Sequence, residues 1–329
     1  MTDVVTLFGK ACIYDREHSK TVLYGQSTTT VASVCIAPDV NFELVVSNQR
    51  AGDFFIKIDN QISCLETIDL HLNNGQRIRF SSLQLYFPFE NCSLLLNEHS
   101  AIISTMCKDY SHRLDEWIQY NLKLGFSGIV IFDNDANKTN NMNEPTENCN
   151  NKLSIRQVCE KYSGRVLVVD FPYSHHDARE CHNIQRMSLH IGVNALMKKC
   201  RNIALIDADE FICTPTSPHI NIQQFLSSYD TSINMYSNVL TNKNDDDFLD
   251  NNILKLAEYI GESLYTKTIL YTEHIKEGEF IITPHFHNLG TYVHSDLIMH
   301  YHCFMNTRYK YNDAMKKLEY FKILTSVVI

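Results

Sequence analysis

Three carboxylates crowd into four positions at Asp207, Asp209 and Glu210, directly after the apolar run Ile203-Ala204-Leu205-Ile206. Four apolar residues in a row predict a strand buried on both faces. Asp207 and Asp209 alternate with Ala208, so in extended backbone their side chains point the same way. Two carboxylates on one side of a strand end repel each other unless a cation lies between them. Their hard oxygens suit Mg²⁺ or Mn²⁺, whose remaining coordination positions commonly go to substrate phosphate. A bare Asp-x-Asp is more often a solvated acidic turn, so its neighbours decide its meaning. Two further constellations have ligand chemistry, His285-Phe286-His287 and His300-Tyr301-His302. Each places two histidines on one face of an extended segment.

The elements that must position these groups change in texture along the chain. Residues 1–98 read as a small β-rich domain, an antiparallel sandwich of short apolar runs broken by turn residues. Within it, His71 to Phe80 carries Asn74-Gly75 between alternating flanks, the signature of a hairpin. From residue 99 to 329, strands and helices alternate. Strands are predicted at 101–105, 129–132, 166–169 and 202–206, with helices at 112–125, 152–162 and 183–200. Gly125 marks a helix stop. Each strand hands over to polar residues and then a helix, which predicts a parallel sheet joined by right-handed crossovers. Ligands of such sheets bind at the carboxyl ends of the strands. Here those ends carry Cys107 and Lys108, then Asp133 and Asn134, then Asp170, then Asp207 to Glu210. Farther on, 220–228 reads as a helix, 231–240 and 267–270 as strands, 242–250 as a solvated loop, and 312–329 as a helix with an apolar tail.

Composition narrows the classes. The chain has 329 residues, 44% of them hydrophobic, with a formal net charge of −9. Nothing in that balance invites nucleic acid, and an anionic ligand would need a metal to bridge it to an acidic site. No apolar stretch is long enough to predict a membrane span. Eleven cysteines without a Cys-x-x-Cys pair predict reduced thiols, and Met1 to Val5 lacks the layout of a signal peptide. A cytoplasmic protein is the expectation.

The motifs resemble glycosyltransferases of the GT-A fold, in particular family 92 and the family-2-like enzymes with a D-x-D-E-F signature. Leu114 to Gly125 is similar to that family's L-x-E-W-I-x-Y-H-x-x-x-G helix, with Asn121 at the histidine. Ile131-Phe132-Asp133-Asn134 resembles its Y-D-N strand end, and Gln185 matches a glutamine in the next helix. Asp207-Ala208-Asp209-Glu210-Phe211 is the most specific piece. Lys267-Thr268-Ile269, Pro284-His285-Phe286 and His300-Tyr301 follow in the family's order. His112 and Arg113 have no counterpart in it.

The resemblance implies a Rossmann-like α/β fold, mainly parallel with flanking helices, that transfers sugar from a nucleotide-sugar donor to a glycan hydroxyl with inversion. Under it, Asp207, Asp209 and His300 hold Mn²⁺ or Mg²⁺. Cys107, Lys108, Asp133, Asn134, Gln185, Asp207 and Lys267 surround the donor, Lys267 against phosphate charge. Inversion calls for a general base on the acceptor hydroxyl. His285 is the first candidate, followed by Glu210 and Asp296. Two other classes remain open at this level: metal-dependent phosphoester hydrolysis at the same carboxylates, and carbohydrate binding without catalysis by the N-terminal sandwich.

Overall fold

The computed structural model describes residues 4–48, 50, 52–90, 94, 96–108, 110–135, 153–173, 178–213, 221–241, 259–276, 279, 281, 283, 292–302 and 316–317. Eight strands fill the first part: β1 (Val5–Leu7), β2 (Ile13–Asp15), β3 (Lys20–Ser27), β4 (Val31–Ala37), β5 (Phe42–Val46), β6 (Asp53–Asp59), β7 (Cys64–Leu72) and β8 (Arg77–Gln84). They form two antiparallel sheets, β1-β3-β6-β5 with β2 on β3, and β4-β7-β8. The expected hairpin is β7–β8, with Gly75 at φ +85° in its turn. Leu23, Phe54, Ile56, Leu65, Ile68 and Leu70 are fully buried between the two sheets.

The rest of the chain builds one large sheet, giving a mixed α/β structure with more sheet than helix. Its elements are β9 (Ala101–Cys107), α1 (Ser111–Leu124), β10 (Gly128–Asp133), α2 (Ile155–Cys159), β11 (Val166–Asp170), α3 (Ala178–Leu196), β12 (Asn202–Leu205), β13 (Glu210–Cys213), α4 (Ile222–Leu226), β14 (Ser232–Thr241), β15 (Tyr259–Tyr271), β16 (Tyr292–His302) and β17 (Lys316–Lys317). The order is β11-β10-β9-β12-β15-β14-β16-β13, with β17 on β15. The first four strands are parallel, each entered through a helix after β9, as the alternation predicts.

A mainly parallel sheet is corrected to a half-parallel one. β12–β15, β14–β15, β13–β16 and β15–β17 are antiparallel, while β14–β16 is parallel. Antiparallel neighbours need no crossover connection between them, whereas each parallel pair does. The expected terminal helix is corrected over its described residues: Lys316–Lys317 pair as a strand with Tyr259 and Ile260. The segments 242–250 and 134–151 fall largely outside the described residues.

Two cores flank the large sheet. On one face α1 buries Leu114, Trp117 and Ile118 against Ile103, Ile131 and Phe211. Gly125 ends this helix in the left-handed region at φ +109°, where its N–H reaches back to the carbonyls of Asn121 and Leu122. On the other face α3 buries Met187, Ile191 and Leu196, and the same core includes Phe8, Tyr24 and Phe55 of the N-terminal strands. Gly192 lets α3 approach β9: a Cβ there would lie 2.4 Å from Ser104 Oγ.

Candidate functional site

The carboxyl edge of β9, β10 and β12 collects the polar residues, and the geometry of the carboxylate turn differs from its extended prediction. β12 stops at Leu205, and the Glu210 N–H donates to the Asp207 carbonyl at 3.0 Å. Asp207 to Glu210 is therefore a turn leading into β13, and the two aspartates do not follow the side-chain alternation of a strand. The turn has its own supports. Glu210, fully buried, accepts from the Asp207 N–H through Oε2 at 2.8 Å. From α1, Trp117 Nε1 donates to the Glu210 carbonyl at 2.7 Å, and Tyr120 Oη donates to the Ile212 carbonyl at 2.7 Å.

Two side chains meet Asp207 from distant parts of the sequence. Gln185 Nε2 donates to Oδ1 at 2.6 Å, and Lys267 Nζ donates to Oδ2 at 2.7 Å. Lys267 Nζ also lies 3.3 Å from Glu210 Oε2. Burial alone would lower the Lys267 pKa, but Asp207 and Glu210, with Asp209 farther off, outweigh it and hold the ammonium charged. The Lys267 side chain, expected to lie against donor phosphate, is 1% exposed and engaged by carboxylates. Glu210, the second candidate base, is buried under the turn and paired with Lys267. Asp209 is half-buried, one residue before β13.

The ends of β9 and β10 form the second part of the edge. The Asn134 N–H donates to the Cys107 carbonyl at 2.9 Å, and Asn134 Nδ2 donates to the Phe171 and Tyr173 carbonyls at 2.8 and 3.0 Å. Those two bonds fix the amide and leave Asn134 Oδ1 buried without a hydrogen-bond donor. Asp133 accepts the Asp135 N–H at 2.9 Å. Burial pushes its carboxyl up from 3.8 to about 6, and the charges of Asp135 and Asp170 add to the rise. The buried Cys107 thiol is also raised well above its ordinary value, first by burial and then by Asp133, Asp135 and Asp209. Cys107 thus presents its carbonyl rather than a reactive sulfur to this edge. Lys108 is exposed beside it.

The remaining predicted residues are placed by backbone alone or lie outside the description. His300 is on β16, opposite Ile212 of β13. Asp296 is on β16 where the register with β14 slips between Ser295 and Met299. His285 lies outside the described residues.

Sequence reasoning missed the supports of Gln185. Its neighbour Arg186 is fully buried, with Nη2 donating to Asp53 Oδ1 at 2.8 Å, Nη1 2.5 Å from Oδ2, and Nη1 donating to the Ile281 carbonyl at 3.0 Å. Arg50 donates to Asn183 on the same helix. The partners Asp53, Arg50 and Ile281 are all distant in sequence, so no local spacing could have shown them.

Among solved structures, the chain is similar to a UDP-glucose pyrophosphorylase complexed with UDP-glucose. The identity is 10% and the TM-score 0.30, over 71% of this chain and 97% of that one. A score that low carries nothing about the site. No protein-family model matches the chain, and no curated protein matches its sequence. No helix among the described residues is long and apolar enough to cross a membrane.

Proposed function

We propose that this protein is a metal-dependent glycosyltransferase that moves a sugar from a nucleotide-sugar donor to a glycan hydroxyl with inversion. One observation carries the reading: a turn at the carboxyl end of a buried parallel strand presents Asp207 and half-buried Asp209, braced by Lys267, Gln185 and Glu210. The donor set fits a hard divalent cation. Asp207 and Glu210 meet the Lys267 ammonium and Asp209 acts on it from farther off, and carboxylate oxygens gathered in this way suit Mn²⁺ or Mg²⁺. Asp209 and Asp207 would hold that ion, with His300 of β16 as a third candidate ligand. Bound there, it would supply Lewis-acid stabilisation to the departing nucleoside diphosphate.

The chain's own residues divide the remaining work. Gln185 and Lys267 take one oxygen each of Asp207 and so fix the plane of its carboxylate. Asp133, Asn134, the Cys107 carbonyl and Lys108 receive the nucleoside, where the orphaned Asn134 Oδ1 accepts a donor from the base. His285 takes the proton from the acceptor hydroxyl, with Asp296 as the second candidate. Residues 1–98 and 99–329 are proposed as the supporting and catalytic parts.

A thermal-shift panel of sugar nucleotides and nucleoside diphosphates, with and without Mn²⁺, tests this directly. Binding to the native state raises the unfolding midpoint by mass action. A manganese-dependent rise with one nucleotide family is expected. Stabilisation by metal alone, with phosphoester turnover and no acceptor, would overturn the transferase in favour of hydrolysis. For the metal ligand, Asp209→Ala is expected to abolish transfer with an unchanged midpoint, and near-normal turnover would sink the assignment.

A further inference from the structure

Arg113, which the transferase reading leaves without a role, is the most anomalous charge among the described residues. Its side chain is 1% exposed, and none of its three guanidinium nitrogens has a hydrogen-bond partner. Arg186 shows how this same chain treats a structural buried guanidinium: it is paired with Asp53 and capped by a backbone carbonyl. A guanidinium removed from water is costly unless an anion meets it. The helix around Arg113 adds to the deficit. Tyr110 at its N-cap makes no side-chain capping bond, and its first turn holds no acidic residue. The positive end of the α1 dipole and a buried cation therefore coincide without a counter-charge among the described residues.

The position of this charge is set by its own helix. Trp117, one turn farther on, bonds to the Glu210 carbonyl, and Tyr120 bonds to that of Ile212. That face of α1 lies on β13, and helical side chains lean toward the N-terminus. Arg113 thus lies on the β13 side of α1, at the end that follows β9 directly and opens onto the carboxyl edge with the Asp207–Asp209 turn.

We propose that Arg113 and the N-terminus of α1 form an oxyanion-binding site. The planar fork of a guanidinium matches the paired oxygens of a phosphate or a carboxylate, and backbone N–H groups at a helix start add donors of the same sign. Two sources share this chemistry: the diphosphate of a nucleotide ligand, and the carboxylate of an acidic sugar. The guanidinium is covered in the free chain, so the anion displaces part of that cover. The site needs neither metal nor transfer, and it stands even where the transferase reading fails.

Calorimetric titration of the full chain in EDTA, with inorganic pyrophosphate and separately with glucuronate, tests it. The wild type is expected to bind one of them. Pyrophosphate alone identifies a diphosphate site, glucuronate alone an acidic-sugar site. Arg113→Met is expected to weaken that binding roughly thirtyfold or more. Its ligand-free unfolding midpoint should stay at or above that of the wild type, because no internal partner is lost. Binding of neither anion by the wild type overturns the site. So does a lowered midpoint with unchanged binding, which would mark the guanidinium as structural. Should Arg113→Met not fold, Arg113→Lys keeps the charge and loses the fork: weaker binding at an unchanged midpoint supports the site, and unchanged binding overturns it.

Discussion

Lys267 shows how one buried charge can organise an acidic site. Its ammonium touches Asp207 and Glu210, and the side chain is buried. Lys267→Met would take the ammonium away from both carboxylates, one of them fully buried. A loss of about 3–5 kcal/mol in urea unfolding is expected, and a loss under 1 kcal/mol, by the same scale for exposed pairs, would mean the pair is effectively solvated. Asp133 makes the opposite case, a carboxyl whose environment resists its charge. Its folded value of about 6 lies above 3.8, so between these values the folded chain holds a proton that the unfolded chain releases. Below 3.8 the group adds no pH dependence. Stability falls as pH rises from about 4 through about 6, where the buried carboxyl gives up its proton. Asp133→Asn should therefore flatten this part of the stability profile and raise the midpoint near pH 7; an unchanged profile would show that the carboxyl is not held in its neutral form.

At the scale of elements, α3 is the lever that ties Asp207 to the rest of the chain. It presents Gln185 to Asp207 while Asp53 of β6 grips the adjacent Arg186 from the other side. Gln26 Nε2 donates to the same Asp53 Oδ1 at 3.1 Å, which holds that carboxylate in place. Asp53→Ala strands a buried guanidinium and is expected to cost about 3–5 kcal/mol. If the grip positions Gln185, the weaker variant Arg50→Ala, which removes the hydrogen bond to Asn183, should lower metal-dependent nucleotide affinity with little change in midpoint. Equal affinity in that variant would separate bracing of the helix from tuning of the site.

At the scale of the molecule, the N-terminal strands are built into the core. Phe8, Tyr24 and Phe55 pack in one cluster with Met187, Ile191 and Leu205, and Phe8 stacks on Phe171 at a centroid distance of 5.4 Å. A chain starting at residue 99 would expose that face of α3 and leave Arg186 without Asp53. It is expected to unfold at a markedly lower temperature, or to aggregate, by differential scanning calorimetry and light scattering. A midpoint equal to that of the full chain would mean that residues 1–98 are a dispensable appendage.

Local pattern was enough for much of this. The parallel strands, the helix from 111 to 124 with its Gly125 stop, the β7–β8 hairpin and the acidic edge were legible because each depends on side-chain period or on a turn residue acting within a few positions. The D-x-D segment was legible as chemistry but not as shape, since the turn at Asp207 to Glu210 depends on bonds from Trp117 and Lys267, far off in sequence. The antiparallel half of the sheet was likewise hidden, because strand direction is set by the route of the connecting chain and not by the strand's own residues. Residue types alone determined which carboxylates, amides and lysines the strand ends carry. Only the tertiary structure decided that Lys267 and Glu210 lie beneath the turn and that Arg113 is a buried charge with no counter-ion among the described residues, because burial and pairing are properties of contacts between segments that the chain order keeps apart.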